Sequence, residues 1–328
     1  MFMARASHRL VTALVCGLCL TAHHAKAVTD IHTKDDIYER VVLLLGQDAK
    51  QITFFVKLPP GARTGADVKG VFAFCTWEAD PAHIRQVMLD KVPGGVTARI
   101  AKFAFAHQMA LVSWTTFAGK KAFDKTQNFD DMTAQEAARM DAGFDKIAMS
   151  WRRGVDGLIK DYQLPKDGWF LYGMSRGGQW AHRIALREPD LFSAIHIHIN
   201  SSYDKPVPEA AGMLWLVTTG ELEAGYPYSK RFYAAARALS YPIIYNAEPK
   251  LGHADSPATD RLSEAFFNYA WDRKNAVPAS AERFVGNYET HEYVTLQDAS
   301  RVPDKIRVYL PTKALADAWG VLADPVTQ

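Results

Sequence analysis

The chain has 328 residues, 48% of them hydrophobic, 23% charged and 12% aromatic, with three cysteines and a formal charge of +2. That composition supports a sizeable core and excludes a disordered tail protein, a collagen-like fibre and a disulfide-stapled miniprotein. The slight basicity would suggest an anionic partner, but its source is the amino terminus.

Arg5 and Arg9 lie at the head of the chain, Leu10 to Leu20 is apolar, and Ala25-Lys26-Ala27 offers small residues at the two positions a signal peptidase reads. This three-part pattern predicts a secretory signal over residues 1–27, cleaved before Val28, and hence a secreted or periplasmic protein. As a helix the apolar stretch would rise about 16 Å, roughly half a bilayer core, which argues against an anchor. No later segment is apolar for long enough to cross a membrane. Taking Arg5, Arg9 and Lys26 away from the 38 basic side chains leaves 35 against 36 acidic ones. A nucleic-acid partner then has no electrostatic support. Cys16 and Cys19 depart with the signal, so their C-x-x-C spacing is not a redox motif, and neither has the small residue before it that a lipoprotein box requires. Cys75 remains as a single thiol without a disulfide partner.

Along the mature chain, short apolar runs recur at Ile52 to Leu58, Gly70 to Cys75, Met109 to Trp114, Trp169 to Tyr172, Ala194 to Ile199, Met213 to Thr218 and Pro242 to Ala247. Most are continuous rather than alternating, as strands covered on both faces are. Helical spacing marks Ala134 to Asp161, Gly177 to Arg187 and Ser229 to Leu239. Alternation of this kind predicts an α/β domain over residues 28–275, with a mostly parallel central sheet flanked by helices. The first of the runs ends at Pro59-Pro60-Gly61, a turn expected to lead into an antiparallel neighbour. Beyond it, residues 276–328 form a small C-terminal extension packed on the same domain, in which Arg283 to Leu296 and Lys305 to Leu310 read as two short strands and Ala314 to Trp319 as a helix. The extension is either an appended hairpin or a contributor to the substrate cleft.

The strongest chemical signal is Trp169-Phe-Leu-Tyr-Gly173-Met174-Ser175-Arg176-Gly177-Gly178. A strand runs into G-x-S-x-G and a helix starts at once, which is the setting in which a serine on a strained turn presents its hydroxyl at the carboxyl edge of a sheet. The Arg176 N–H, at the start of the following helix, is positioned to donate to an oxyanion. A serine hydroxyl is a weak nucleophile unless a base removes its proton and an acid orients that base. On such a turn the partners follow in the order Ser, acid, His, each after a later strand. His253, in Leu251-Gly252-His253, is the one histidine after Ser175 that lies in a loop behind a late strand; His182 sits in a helix, His196 and His198 inside a strand, and His291 in the tail. For the acid, Glu223 ranks first, Glu221 second and Asp204 third. The second oxyanion donor is expected from the loop after Cys75, from the backbone of Thr76 or Trp77. His196 and His198, two apart, form no metal site, since no third ligand of fitting spacing accompanies them. Aromatic residues in the surrounding loops, chiefly Trp114, Phe117, Tyr203 and Tyr226, with Tyr228 beside them, are the expected lining for an acyl or aromatic substrate group.

The run from Trp169 to Ile199, with Gly173-Met-Ser175-Arg-Gly177-Gly-Gln and the helix end Arg187-Glu-Pro-Asp-Leu-Phe, resembles the α/β-hydrolase superfamily. It is similar to secreted bacterial hydrolases related to polyhydroxybutyrate depolymerases and dienelactone hydrolases, and Gly220-Glu-Leu-Glu223 and Gly252-His253 extend the similarity over roughly residues 50 to 275. The resemblance implies the α/β-hydrolase fold with an eight-stranded sheet, a Ser175, Glu223 and His253 triad, no metal or other cofactor, and hydrolysis of a small-molecule or oligomeric ester through an acyl-enzyme. Two departures stand out: glutamate where aspartate is usual, and no His-Gly in the oxyanion loop. A serine peptidase or acyltransferase uses the same triad, and a non-catalytic binding protein can be built on the same scaffold.

Overall fold

The computed structural model describes residues 28–32, 37–44, 51–75, 80–89, 96–115, 134–275 and 283–320. The expected signal segment, residues 1–27, lies outside them, as do Thr76, Trp77 and Phe117. Each apolar run becomes a strand: β3 Gln51–Lys57, β4 Gly70–Cys75, β5 Met109–Trp114, β6 Trp169–Met174, β7 Phe192–His198, β8 Leu214–Gly220 and β9 Ile243–Glu248. Two strands precede them, β1 Val28–His32 and β2 Ile37–Leu43. The sheet therefore has nine strands, in the order β1-β2-β3-β5-β4-β6-β7-β8-β9, where the resemblance implied eight. From β5 to β9 every pairing is parallel, and the β1-β2-β3 edge is antiparallel. The Pro59-Pro60-Gly61 turn does not lead to an adjacent strand: β5 lies between β3 and β4 and is the antiparallel neighbour of β3.

Every residue of β4, β5, β8 and β9 is buried. Helices on both faces cause this, which is why these strands carry continuous rather than alternating apolar sequence. On one face pack α3 (Ala134–Tyr162), α4 (Arg176–Arg187) and α5 (Tyr226–Ala238); on the other, α1 (Pro81–Met88), α2 (Val96–Ala106) and α6 (Pro257–Lys274). Trp151 of α3 meets Phe54 and Trp114 on the first face, while Phe103 and Phe267 enclose Phe72 and Phe170 on the second.

The extension holds three strands rather than two, β10 Phe284–Asn287, β11 Tyr293–Thr295 and β12 Arg307–Leu310, in the antiparallel order β11-β10-β12, followed by α7 Lys313–Trp319. Its Trp319 is fully buried and donates its indole N–H to the Tyr245 carbonyl on β9 at 2.7 Å. Phe284, Val308, Leu310 and Leu315 belong to the same hydrophobic cluster as the central sheet, so the extension shares one core with it.

Candidate active site

β6 ends on Met174, and Ser175 follows with φ 55° and ψ −124°, a backbone conformation that L-residues rarely adopt. Its N–H donates to the His198 carbonyl at 3.0 Å and its carbonyl accepts from Gln179 N–H, which fixes the turn between β7 and the first turn of α4. Gly173 is required here by close approach: a Cβ would stand 2.5 Å from the Gly177 carbonyl oxygen and 2.6 Å from Ala181 Cβ. The Ser175 hydroxyl is thereby carried at the carboxyl edge of the sheet with Arg176 as the first residue of α4, whose amino-terminal N–H groups have no intrahelical acceptors.

The loops after β8 and β9 bring the partners to it. Glu221 N–H donates to the Glu248 carbonyl and Leu222 N–H to the Leu251 carbonyl, at 3.0 and 2.9 Å, so the two loops are stitched together. At Gly220 a Cβ would lie 2.1 Å from the Leu251 carbonyl oxygen, and only glycine permits this crossing. Glu223 then turns back, its N–H donating to the Gly220 carbonyl. His253 Nδ1 lies 2.8 Å from Glu223 Oε2, and His253 Nε2 lies 2.9 Å from Ser175 Oγ. The carboxylate can only accept, so Nδ1 carries the ring proton and Nε2 is left to accept from the serine hydroxyl. The Glu223 side chain is 6% exposed and the His253 side chain 50%, so the carboxylate is shielded while the ring is half open to solvent.

Of the three candidate acids, therefore, Glu223 is the one bonded to His253. Glu221 is exposed. Asp204 is buried, with Oδ1 2.9 Å from Arg183 Nε and Oδ2 3.1 Å from Arg187 Nη1. Burial alone would raise its carboxyl, but Arg183, His182 and Arg187 outweigh that and hold it below the usual carboxylate range. Among the expected lining residues, Trp114 is a correction: it is fully buried against Phe54 and Trp151 and has no surface to offer a substrate. Tyr203 is likewise buried, its ring against Phe232, and burial followed by the charge of Glu223 raises its hydroxyl well above the ordinary value. Tyr226, half-buried at the head of α5, is joined to the acid loop by its N–H to the Glu223 carbonyl. Burial pushes the Cys75 thiol up, which makes it inert as a nucleophile.

His196 and His198 are buried side by side, and no metal-ligating cluster occurs among the described residues. Both bond the Thr218 hydroxyl, at 2.8 and 2.7 Å, and its single proton allows it to donate to one ring while accepting from the other. Sequence reasoning missed what lies at the far end: His198 Nε2 is 3.3 Å from Asp255, two residues beyond His253 in the same loop.

No family model and no curated protein matches the sequence. Among solved structures, a putative dipeptidyl aminopeptidase IV from Bacteroides ovatus superposes with a TM-score of 0.50 at 11% identity, over 72% of this chain and 35% of that one. A thermostable esterase gives 0.47 at 12% identity over 66% and 55%, so this chain spans about half its length. An alpha-beta serine hydrolase homologue from Coxiella burnetii gives 0.38 at 13% identity over 76% and 98%. Identities this low speak to fold alone. The sheet order, its flanking helices and the strand-to-helix turn at Ser175 are those of the α/β-hydrolase fold.

Proposed function

We propose that this chain is a secreted serine hydrolase that cleaves carboxylic esters through an acyl-enzyme on Ser175. The observation that carries the reading is the unbroken hydrogen-bonded series from Ser175 Oγ through the His253 ring to Glu223, on a strained turn at the head of a helix. His253 Nε2 takes the hydroxyl proton as Ser175 Oγ bonds to the ester carbonyl carbon, and Glu223 stabilises the resulting imidazolium. The carbonyl oxygen gains the negative charge and is met by the Arg176 N–H, with Thr76 or Trp77 as the expected second donor. As the tetrahedral centre collapses, the C–O bond to the alcohol breaks and His253 returns the proton to the leaving oxygen. Water then repeats the sequence on the acyl group, releasing the acid and restoring Ser175. Leu222, exposed between Glu221 and Glu223, and Tyr226 favour an ester with apolar parts. Export is proposed from the pattern over residues 1–27.

The test is turnover of p-nitrophenyl butyrate by the purified protein, covalent labelling of Ser175 by a fluorophosphonate, and loss of both in Ser175→Ala. Turnover retained by Ser175→Ala defeats the reading. Faster cleavage of peptide anilides than of esters would move the protein to the peptidases, and no labelling at all would make it a binding protein on this scaffold.

A further inference from the structure

A cavity of about 550 Å³ lies at the opposite edge of the sheet from Ser175. Leu214 and Ile243, the first residues of β8 and β9, form part of its floor, whereas Glu223 and His253 follow the other ends of these strands. About 20 Å of strand therefore separates the two sites. One wall is the end of α5 and the turn after it, a second is the carboxyl half of α6, and the third is the extension, through Phe284, Leu296 and Tyr309. The volume falls within the range of small-molecule sites.

Its chemistry is lopsided. Phe266, Phe284, Tyr241 and Tyr269 supply an apolar and aromatic interior, and the charged side chains among its lining residues are three arginines, Arg237, Arg273 and Arg283, with no carboxylate. Arg237 is anchored by the Asp304 carbonyl oxygen at 2.7 Å and its carboxylate at 3.2 Å, and lies over the Tyr309 ring. Arg273 and Arg283 are exposed, and no ion pair to either occurs among the described residues. Two large apolar side chains, Leu296 at 42% and Tyr309 at 47% exposure, stand open to water on the same rim. Exposed apolar surface beside the guanidinium forks of Arg273 and Arg283, which meet no carboxylate among the described residues, is complementary to one kind of molecule, an apolar body with an anionic head.

We propose that this cavity binds an amphipathic carboxylate, such as a medium-chain fatty acid, with its chain between α6 and the extension and its head on Arg273 and Arg283. The extension supplies one of the three walls, and this gives it a role that the chemistry at Ser175 does not require. The binding is independent of that chemistry.

The test is calorimetric titration of the full mature chain with dodecanoate below its micelle concentration, beside dodecanol, dodecyltrimethylammonium and butyrate. One saturable site is expected for dodecanoate, with affinity lower by about tenfold or more in the double variant R273S/R283S, the loss expected when charge-assisted hydrogen bonds go. Leu296→Glu is expected to weaken it by a similar factor, while Ser175→Ala and protein blocked at Ser175 by a fluorophosphonate bind as wild type. Both arginines and Leu296 are on the surface, so an unchanged melting temperature is expected to show that the variants fold. No saturation, equal affinity in R273S/R283S, equal binding of the cationic amphiphile, or loss of binding on blocking Ser175 each overturns the proposal. So would a concentration-dependent dimer that dodecanoate does not dissociate, since a second copy of the chain would then cover the cavity.

Discussion

His253 and the pair His182 and His196 are the same side chain in two regions that use it oppositely. His253 stands half-exposed on the loop after β9, with a carboxylate on one nitrogen and a hydroxyl on the other. His182 is sealed in α4, one nitrogen on the Gly178 carbonyl and the other accepting the Asp204 N–H. His196 is sealed in β7 between Ser263 and Thr218. Burial drives His182 down to about 4 and His196 well below its ordinary value, so both are held neutral. The carboxylates divide the same way: Asp204 is consumed by two guanidiniums, whereas Glu223 has His253 as its partner. What separates working groups from scaffold here is access, and partners that leave a proton somewhere to go.

The largest expected effect breaks the comparison outright. Ser175→Ala or His253→Ala should lower ester kcat by about 10⁴ to 10⁶-fold while leaving the urea midpoint nearly unchanged. His196→Gln should do the reverse, keeping kcat within about tenfold at 20 °C and losing about 1–3 kcal/mol through its two buried partners. Equal kinetic losses from both would mean that the buried histidines take part. Next come the acids. Glu223→Gln should cost about 10⁴ in kcat, since the amide no longer supports the imidazolium. Asp204→Asn should instead destabilise the fold by about 3–5 kcal/mol, because Arg183 and Arg187 are left in the interior without their counter-charge. Chemical denaturation of both variants alongside ester kinetics separates the two outcomes.

How far the chain could be read in advance follows from the same division. β4 and β5 were legible to the residue because their runs are apolar throughout, but for Ser113 in β5. β2 was not, since Glu39 and Arg40 interrupt it, and both are buried only because Arg85 of α1 and Asp161 of α3 reach them from 46 and 121 residues away. α6 hid for a related reason: it packs against β7 on one side and α7 on another, so no single apolar stripe marks it. At the site, Ser175 and His253 were readable from local motifs. Glu223 ranked ahead of Glu221 in the sequence, and the physical reason lies outside the motif, in the turn at Gly220 that the Leu251 carbonyl enforces from the next loop. Trp114 misled because a strand-end aromatic reads alike whether its ring turns outward or, as here, onto Trp151.

Acid should sharpen the comparison more gently. The unfolded chain protonates His182 near 6.5 and the folded chain only near 4. Between those values the unfolded state binds more protons, so stability is fully present above about pH 6.5 and lost as pH falls toward 4. The loss from this one side chain is about 3 kcal/mol. Urea unfolding from pH 7.5 to 4 should show it, and His182→Gln should flatten the profile over that window. A slope unaltered by the substitution would place the protons elsewhere.

The smallest effect belongs to the residue that touches both regions. Asp255 leaves the His253 loop to meet His198 at 3.3 Å, yet it is 37% exposed, and a pair so open to water contributes no more than about 1 kcal/mol. Neither bond to His253 passes through it. Asp255→Asn is therefore expected to keep ester kcat within about fivefold, the change that 1 kcal/mol allows, and to leave KM unaltered. Steady-state kinetics on p-nitrophenyl butyrate decide it. A hundredfold fall in kcat with the melting temperature preserved would make Asp255 and His198 a positioning device for the loop, and the line between the two groups of histidines would have to be drawn inside β7 rather than at its end.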